Sequence, residues 1–244
     1  MFEMIAILGR GIQRLSEDDS WALTEDLEVC DEQSAHLPVR VPVDDDNPLC
    51  MVGGGEMNLL AGIELIYRYK PTVVVCAYGS RMSYLESIDA SSESEVMSRE
   101  LAIKILPRLN FWASGTAYMP VVIAWERHRK LSASNTCQEL LNVFDLALEH
   151  GFRRIGFVTV GVHIARTGTY VAKHLSVYEK YRVLSPVVFE SEEVLLTTDR
   201  EKYGPRVEVL RNSKSFARNW EREAAGISKI IRGVYSDVKP VIAS

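Results

Sequence analysis

His163 and Arg166 stand three residues apart, and at the opening of a helix they would share one face. A helix start already presents free amide N–H groups and the positive end of its dipole. Arginine adds a bidentate donor suited to phosphate or carboxylate, and histidine adds a group that exchanges a proton near neutral pH. The pair reads as an anion or phosphoester site with His163 as general acid or base. The plainer reading is that His163 caps the helix and Arg166 pairs with a surface acid. Glu126 directly follows an apolar run, where a carboxylate could orient His163, take ribose hydroxyls or hold a metal. Gly9-Arg10-Gly11 also follows an apolar run, and its glycines would let backbone amides approach a phosphate. The third glycine of a dinucleotide fingerprint is missing, since Arg14 takes its place.

Other candidates have strong structural readings. Arg81 follows Tyr78-Gly79-Ser80 and would add a second or third cation. Ser134, Asn135 and Thr136 lead into a helix, and Thr136 with Glu139 has the spacing of a capping box. Ser92-Glu93-Ser94-Glu95 has the same spacing, so Glu95 reads first as a cap. Gly53-Gly54-Gly55-Glu56 is either a hinge or a second backbone nest. Asp44-Asp45-Asp46 could ligate a divalent cation, but an acidic turn in solvent is the simpler account, and no metal site is assigned. Arg127-His128-Arg129-Lys130 is most simply a basic loop. The cysteines Cys30, Cys50, Cys76 and Cys137 form no C-x-x-C pair and read as reduced, mostly buried thiols.

These loops make one site only if a common framework gathers them. Ile5 to Leu8, Thr72 to Ala77, Val121 to Trp125, Ile155 to Val160 and Leu184 to Phe189 are apolar, non-alternating runs. Helical spacing separates them: Leu59, Leu60, Ile63, Ile66 and Tyr67, then Met97, Leu101 and Ile105, then Leu140, Val143, Phe144, Ala147 and Leu148. The helix after the fourth strand is expected over His163 to Leu175. Strands of that kind alternating with helices define an α/β fold, a mostly parallel Rossmann-like three-layer sandwich. In such a sheet ligands bind at the carboxyl ends of the strands, which is where every candidate above falls. The whole chain, 1–244, reads as a single domain.

Two segments break the rhythm. Residues 13–56 carry twelve acidic and two basic side chains, a net of −10, so with a total of −5 the rest of the chain is +5. Alternation over Ala22 to Val29 and Val39 to Val43 predicts a small β-hairpin or lid inserted after the first strand. Residues 213–233 predict an amphipathic helix whose stripe, Phe216, Trp220, Ala224, Ile227 and Ile231, packs on the domain or on a second copy in a homo-oligomer. The acidic balance argues against a nucleic-acid partner. No run approaches the roughly 18 apolar residues of a membrane helix, and Met4 to Leu8 is too short for a signal peptide. The expectation is a cytoplasmic protein with no membrane partner.

Taken together the loops resemble the YdcF/SanA-like family, bacterial proteins of unsettled function. The resemblance is carried by Ile7-Leu8-Gly9-Arg10-Gly11 and by Ser94-Glu95-Val96-Met97. It continues through Glu126 with Ser134-Asn135-Thr136, and through Val158-Thr159 leading to His163 and Arg166. It covers roughly residues 4–12 and 57–190. It implies a Rossmann-like fold with Glu95, Glu126, Asn135, His163 and Arg166 lining one pocket. The chain departs from the family in having no SanA-type membrane anchor, in its acidic insert, and in Gly79-Ser80 with Arg81 where the family has a glycine pair.

Three functions follow. The first is hydrolysis of a phosphorylated or nucleotide-like small anion: Arg10, Arg81 and Arg166 hold it, His163 exchanges protons, and water attacks. The second is non-catalytic binding of a nucleotide or S-adenosylmethionine-type ligand. The third is partner binding through the acidic insert. No cofactor is named by the sequence.

Overall fold

The computed structural model of the chain describes residues 1–15, 20–32, 37, 39–76, 91–109, 118–124 and 136–233. Its centre is a five-stranded sheet, entirely parallel, made of β1 (Met4–Ile7), β6 (Val73–Cys76), β7 (Val121–Ala124), β8 (Arg154–Thr159) and β9 (Ser185–Glu190). The strand order is β7-β6-β1-β8-β9, with Ile5 opposite Val74 on one side and Gly156 on the other. Helices α1 (Gly55–Tyr69), α2 (Glu93–Leu109), α3 (Thr136–Glu149) and α4 (Gly161–Val177) connect these strands.

The apolar runs are continuous because both faces of the sheet are covered. Ile5, Ile7, Val74 and Cys76 pack with Leu59, Ile63, Met97 and Leu101 of α1 and α2. Met4, Ala6, Val73 and Val75 pack on the opposite face with Leu140, Phe144, Tyr170 and Val171 of α3 and α4. This is the Rossmann-like three-layer sandwich read from the sequence. Successive strands are added outward from β1 to β7 on one side and then from β8 to β9 on the other, so the switch point lies between β1 and β8, where Gly9 and Gly161 emerge.

The insert is two ribbons rather than one hairpin. β2 (Ile12–Arg14) pairs antiparallel with β3 (Trp21–Leu23), and β4 (Leu27–Val29) pairs antiparallel with β5 (Cys50–Val52). The alternation over 22–29 is broken at Thr24–Asp26, whose backbone bonds outward to Gly11, Gly53, Gly54 and Glu56 instead of continuing a strand. Gly53–Gly55 is therefore neither hinge nor nest. Its amides go to Asp26 O, Glu25 O and Thr24 Oγ1, and a side chain at Gly54 would overlap Val160.

Helices α5 (Ser191–Thr198), α6 (Arg200–Arg211) and α7 (Lys214–Ile231) complete the described chain. The first two were not foreseen. α7 falls where expected but turns a different face inward. Trp220 and Ile231 are 50% and 74% exposed, and the buried row is Ser215, Asn219, Glu223, Gly226 and Ile230. The reason is the insert. The Asp45 carboxylate accepts from Lys214 N, Ser215 N and Ser215 Oγ, Asn219 Oδ1 accepts from Val52 N, and Arg218 donates to the carbonyls of Asp45, Asn47 and Cys50. The acidic triplet anchors a helix start, with Asp46 paired to Lys214. Arg206 of α6 adds a bidentate bond to Asp26 and a bond to Glu56. The four cysteines are buried and in no disulfide. Among the described residues no helix is long and apolar enough to cross a membrane.

Candidate functional site

β1 and β8 are neighbours, so the turn after β1 and the first turn of α4 open side by side. Gly11 adopts φ 101, a left-handed conformation that glycine takes without strain, and the turn aims successive amides at one place. That place is occupied by the chain itself. Arg10 N and Gly11 N both donate to Glu93 Oε1, the latter at 2.5 Å, and Gly9 N donates to Glu139 Oε1 at 3.1 Å. Arg10 points its guanidinium away from the turn, donating to the carbonyls of Gly53 and Val52 at 2.9 Å each.

The amide at the start of α4 is filled in the same way. Gly161 N donates to both oxygens of Glu192, at 3.0 and 2.8 Å, and Glu192 is 0% exposed. Burial first, then the neighbouring Glu190 charge, lifts the Glu192 carboxyl to about 7. Glu190 in turn bonds Arg211.

The side chains of α4 remain, and they form a relay. His163 is 6% exposed. Its Nδ1 lies 3.1 Å from Glu223 Oε1 and its Nε2 lies 3.0 Å from Thr136 Oγ1. Arg166 Nη1 donates to Glu223 Oε2 at 3.4 Å, and its guanidinium lies against Gly226. Burial pushes the Glu223 carboxyl up, but the His163 hydrogen bond and the Arg10 and Arg166 charges outweigh it and hold the group below the ordinary carboxylate range. Burial also favours neutral imidazole, and with Arg10 and Arg166 nearby it outweighs Glu223, so the His163 value falls below 6.5. An ionised carboxylate only accepts, so Nδ1 carries the proton and the Nε2 lone pair faces the Thr136 hydroxyl. Hydroxyl, imidazole and carboxylate in that order is the geometry of a general base held by an orienting acid.

The structure therefore brings Gly9, Arg10, Gly11, Thr136, His163 and Arg166 to one edge, with Arg10 serving the insert. Glu95 sits half-buried in the first turn of α2, its N–H on Ser92 Oγ at 3.2 Å, and it is Glu93 that meets the turn after β1. The capping box at 136–139 does not form, because Thr136 goes to His163 and Glu139 to Gly9. Arg81, Glu126, Ser134 and Asn135 lie outside the described residues. Sequence reasoning missed Glu93, Glu139, Glu192 and Glu223. The two capping-box signatures contain the first two, and Glu223 had only a polar row at helical spacing to mark it. Comparison with family models, with curated proteins and with solved structures gives no match.

Proposed function

We propose that this chain is a YdcF/SanA-like protein that hydrolyses a small phosphorylated or nucleotide-like molecule at the carboxyl edge of its sheet. The observation that carries the reading is the Thr136–His163–Glu223 relay at the switch point, with Arg166 beside it. A neutral imidazole whose Nε2 faces the site can take a proton from water as it attacks, and Glu223 stabilises the imidazolium that results. Thr136 donates to that nitrogen, so the water passes its proton to Thr136 Oγ1 as the Thr136 proton moves to Nε2. In this reading Arg166 and Arg81 hold the anion, and Glu223 has the orienting role that the sequence suggested for Glu126.

The test is turnover of p-nitrophenyl phosphate, its diester and common nucleotides by the wild type, His163→Ala and Glu223→Gln. The reading expects hydrolysis of one class, abolished in the first variant and reduced in the second. Thermal stabilisation by nucleotides or S-adenosylmethionine without any turnover would replace it with the non-catalytic binding function. No turnover and no stabilisation would turn attention to the acidic insert and a protein partner.

A further inference from the structure

The relay supplies a base, but hydrolysis also needs a proton for the departing oxygen. One helical turn beyond Thr136, on the same face of α3, Glu139 reaches the turn after β1. It is 5% exposed, and among the described residues its carboxyl has one hydrogen-bond partner, the Gly9 N–H on Oε1. Glu93 of α2 sits on the very next amides, Arg10 N and Gly11 N. Two carboxyl groups on adjacent amides of one buried turn repel as anions, which favours a proton on one of them. Two donors converge on one Glu93 oxygen, which suits the ionised partner, and this leaves Glu139 to carry the proton. Resting on the hydrolytic reading above, we infer that Glu139 is the general acid of the site, protonating the leaving oxygen while His163 takes the proton of the attacking water.

Burial, then the Glu93 charge, lifts the Glu139 carboxyl well above its ordinary range, against the Gly9 N–H and the Arg10 charge, while His163 on the facing helix is displaced downward. Two groups of one site pushed apart in this way define an acid and a base that coexist at neutral pH. The balance is complete. Water loses a proton through the Thr136 hydroxyl to His163 Nε2, its oxygen bonds the electrophile, and the bond to the leaving oxygen breaks. That oxygen receives the Glu139 proton, and solvent returns the His163 proton to Glu139.

The experiment compares two esters of the same acid. A p-nitrophenyl ester departs as a stable anion, and an alkyl ester must be protonated as it leaves. Glu139→Gln should cut kcat/KM about 10²- to 10⁴-fold on the alkyl ester and less than about tenfold on the p-nitrophenyl ester. Equal losses on both would make Glu139 structural and overturn the inference. Infrared difference spectra of wild type against Glu139→Asp and Glu139→Gln provide a readout independent of turnover. A protonated-carboxyl band at neutral pH that Glu139→Gln removes, distinct from that of Glu192, supports the shared proton, and a wild-type spectrum that Glu139→Gln leaves unchanged overturns it. If the band is present while the wild type hydrolyses neither ester, the proton pair stands and the hydrolytic reading falls.

Discussion

The two turns at the switch point begin alike and end differently. After β1 and after β8 the chain offers glycine-flanked amides and a nearby arginine, and in both places a glutamate of the same chain has taken the amides: Glu93 and Glu139 at one, Glu192 at the other. The difference lies in the side chains. Arg10 folds back onto the carbonyls of Val52 and Gly53 and ties the insert to the sheet. His163 and Arg166 instead meet Thr136 and Glu223, groups from two other helices. A backbone receptor is quenched by any carboxylate within reach, whereas an imidazole between a hydroxyl and a carboxylate forms a chain along which a proton can move. On that comparison Arg10 ties the insert to the sheet, and His163 is the group on which the proposed function rests.

The largest expected effect breaks the functional side. Under the proposed function His163→Ala should lower phosphoester turnover by about 10²- to 10⁴-fold, read from steady-state kinetics on the folded variant. Turnover kept in the folded variant would remove His163 from the chemistry.

The next tests the plug at α4. The folded-state value of Glu192, about 7, lies above its ordinary 4.5, so its contribution to stability is full below 4.5 and is lost as pH rises through about 7. Glu192→Gln keeps an acceptor for Gly161 and cannot ionise. Urea unfolding at about pH 5 and about pH 8 should show the variant gaining on the wild type by on the order of 2 kcal/mol between them.

Arg10→Ala should be the mirror image of the histidine variant. It leaves the Val52 and Gly53 carbonyls without their guanidinium partner, which should cost about 1–3 kcal/mol in denaturant unfolding. A turnover loss as large as that of His163→Ala would contradict the division between the two turns. The smallest effect is at Asp45, whose carboxylate holds the start of α7. Asp45→Ala should cost about 1 kcal/mol as a lost helix-start acceptor, with a modest fall in turnover because α7 carries Glu223.

The sheet was legible in the sequence because parallel strands covered on both faces read as unbroken apolar runs, as Met4–Ile7 and Val73–Cys76 do. Helix α6 was not, because Gly204 and Pro205 lie inside it and only Tyr203, Val207 and Leu210 are buried. Glu223 was hidden by a decoy. The conspicuous stripe through Trp220 and Ile231 faces outward, and the buried face of α7 is polar because the insert and α4 meet it with hydrogen bonds. Glu139 reads as a cap in the sequence, since three-residue spacing is the same whether a carboxylate bonds its own helix or reaches a neighbouring turn, and Glu93 is hidden inside the Ser92–Glu95 signature that points to Glu95.

Nitrogen NMR of imidazole-labelled protein, with His163→Gln identifying the signal, tests directly whether His163 is a neutral base oriented by Glu223. The Nδ1–H tautomer and a titration midpoint below 6.5 are expected. An Nε2–H tautomer, or a midpoint above 6.5, would contradict that role.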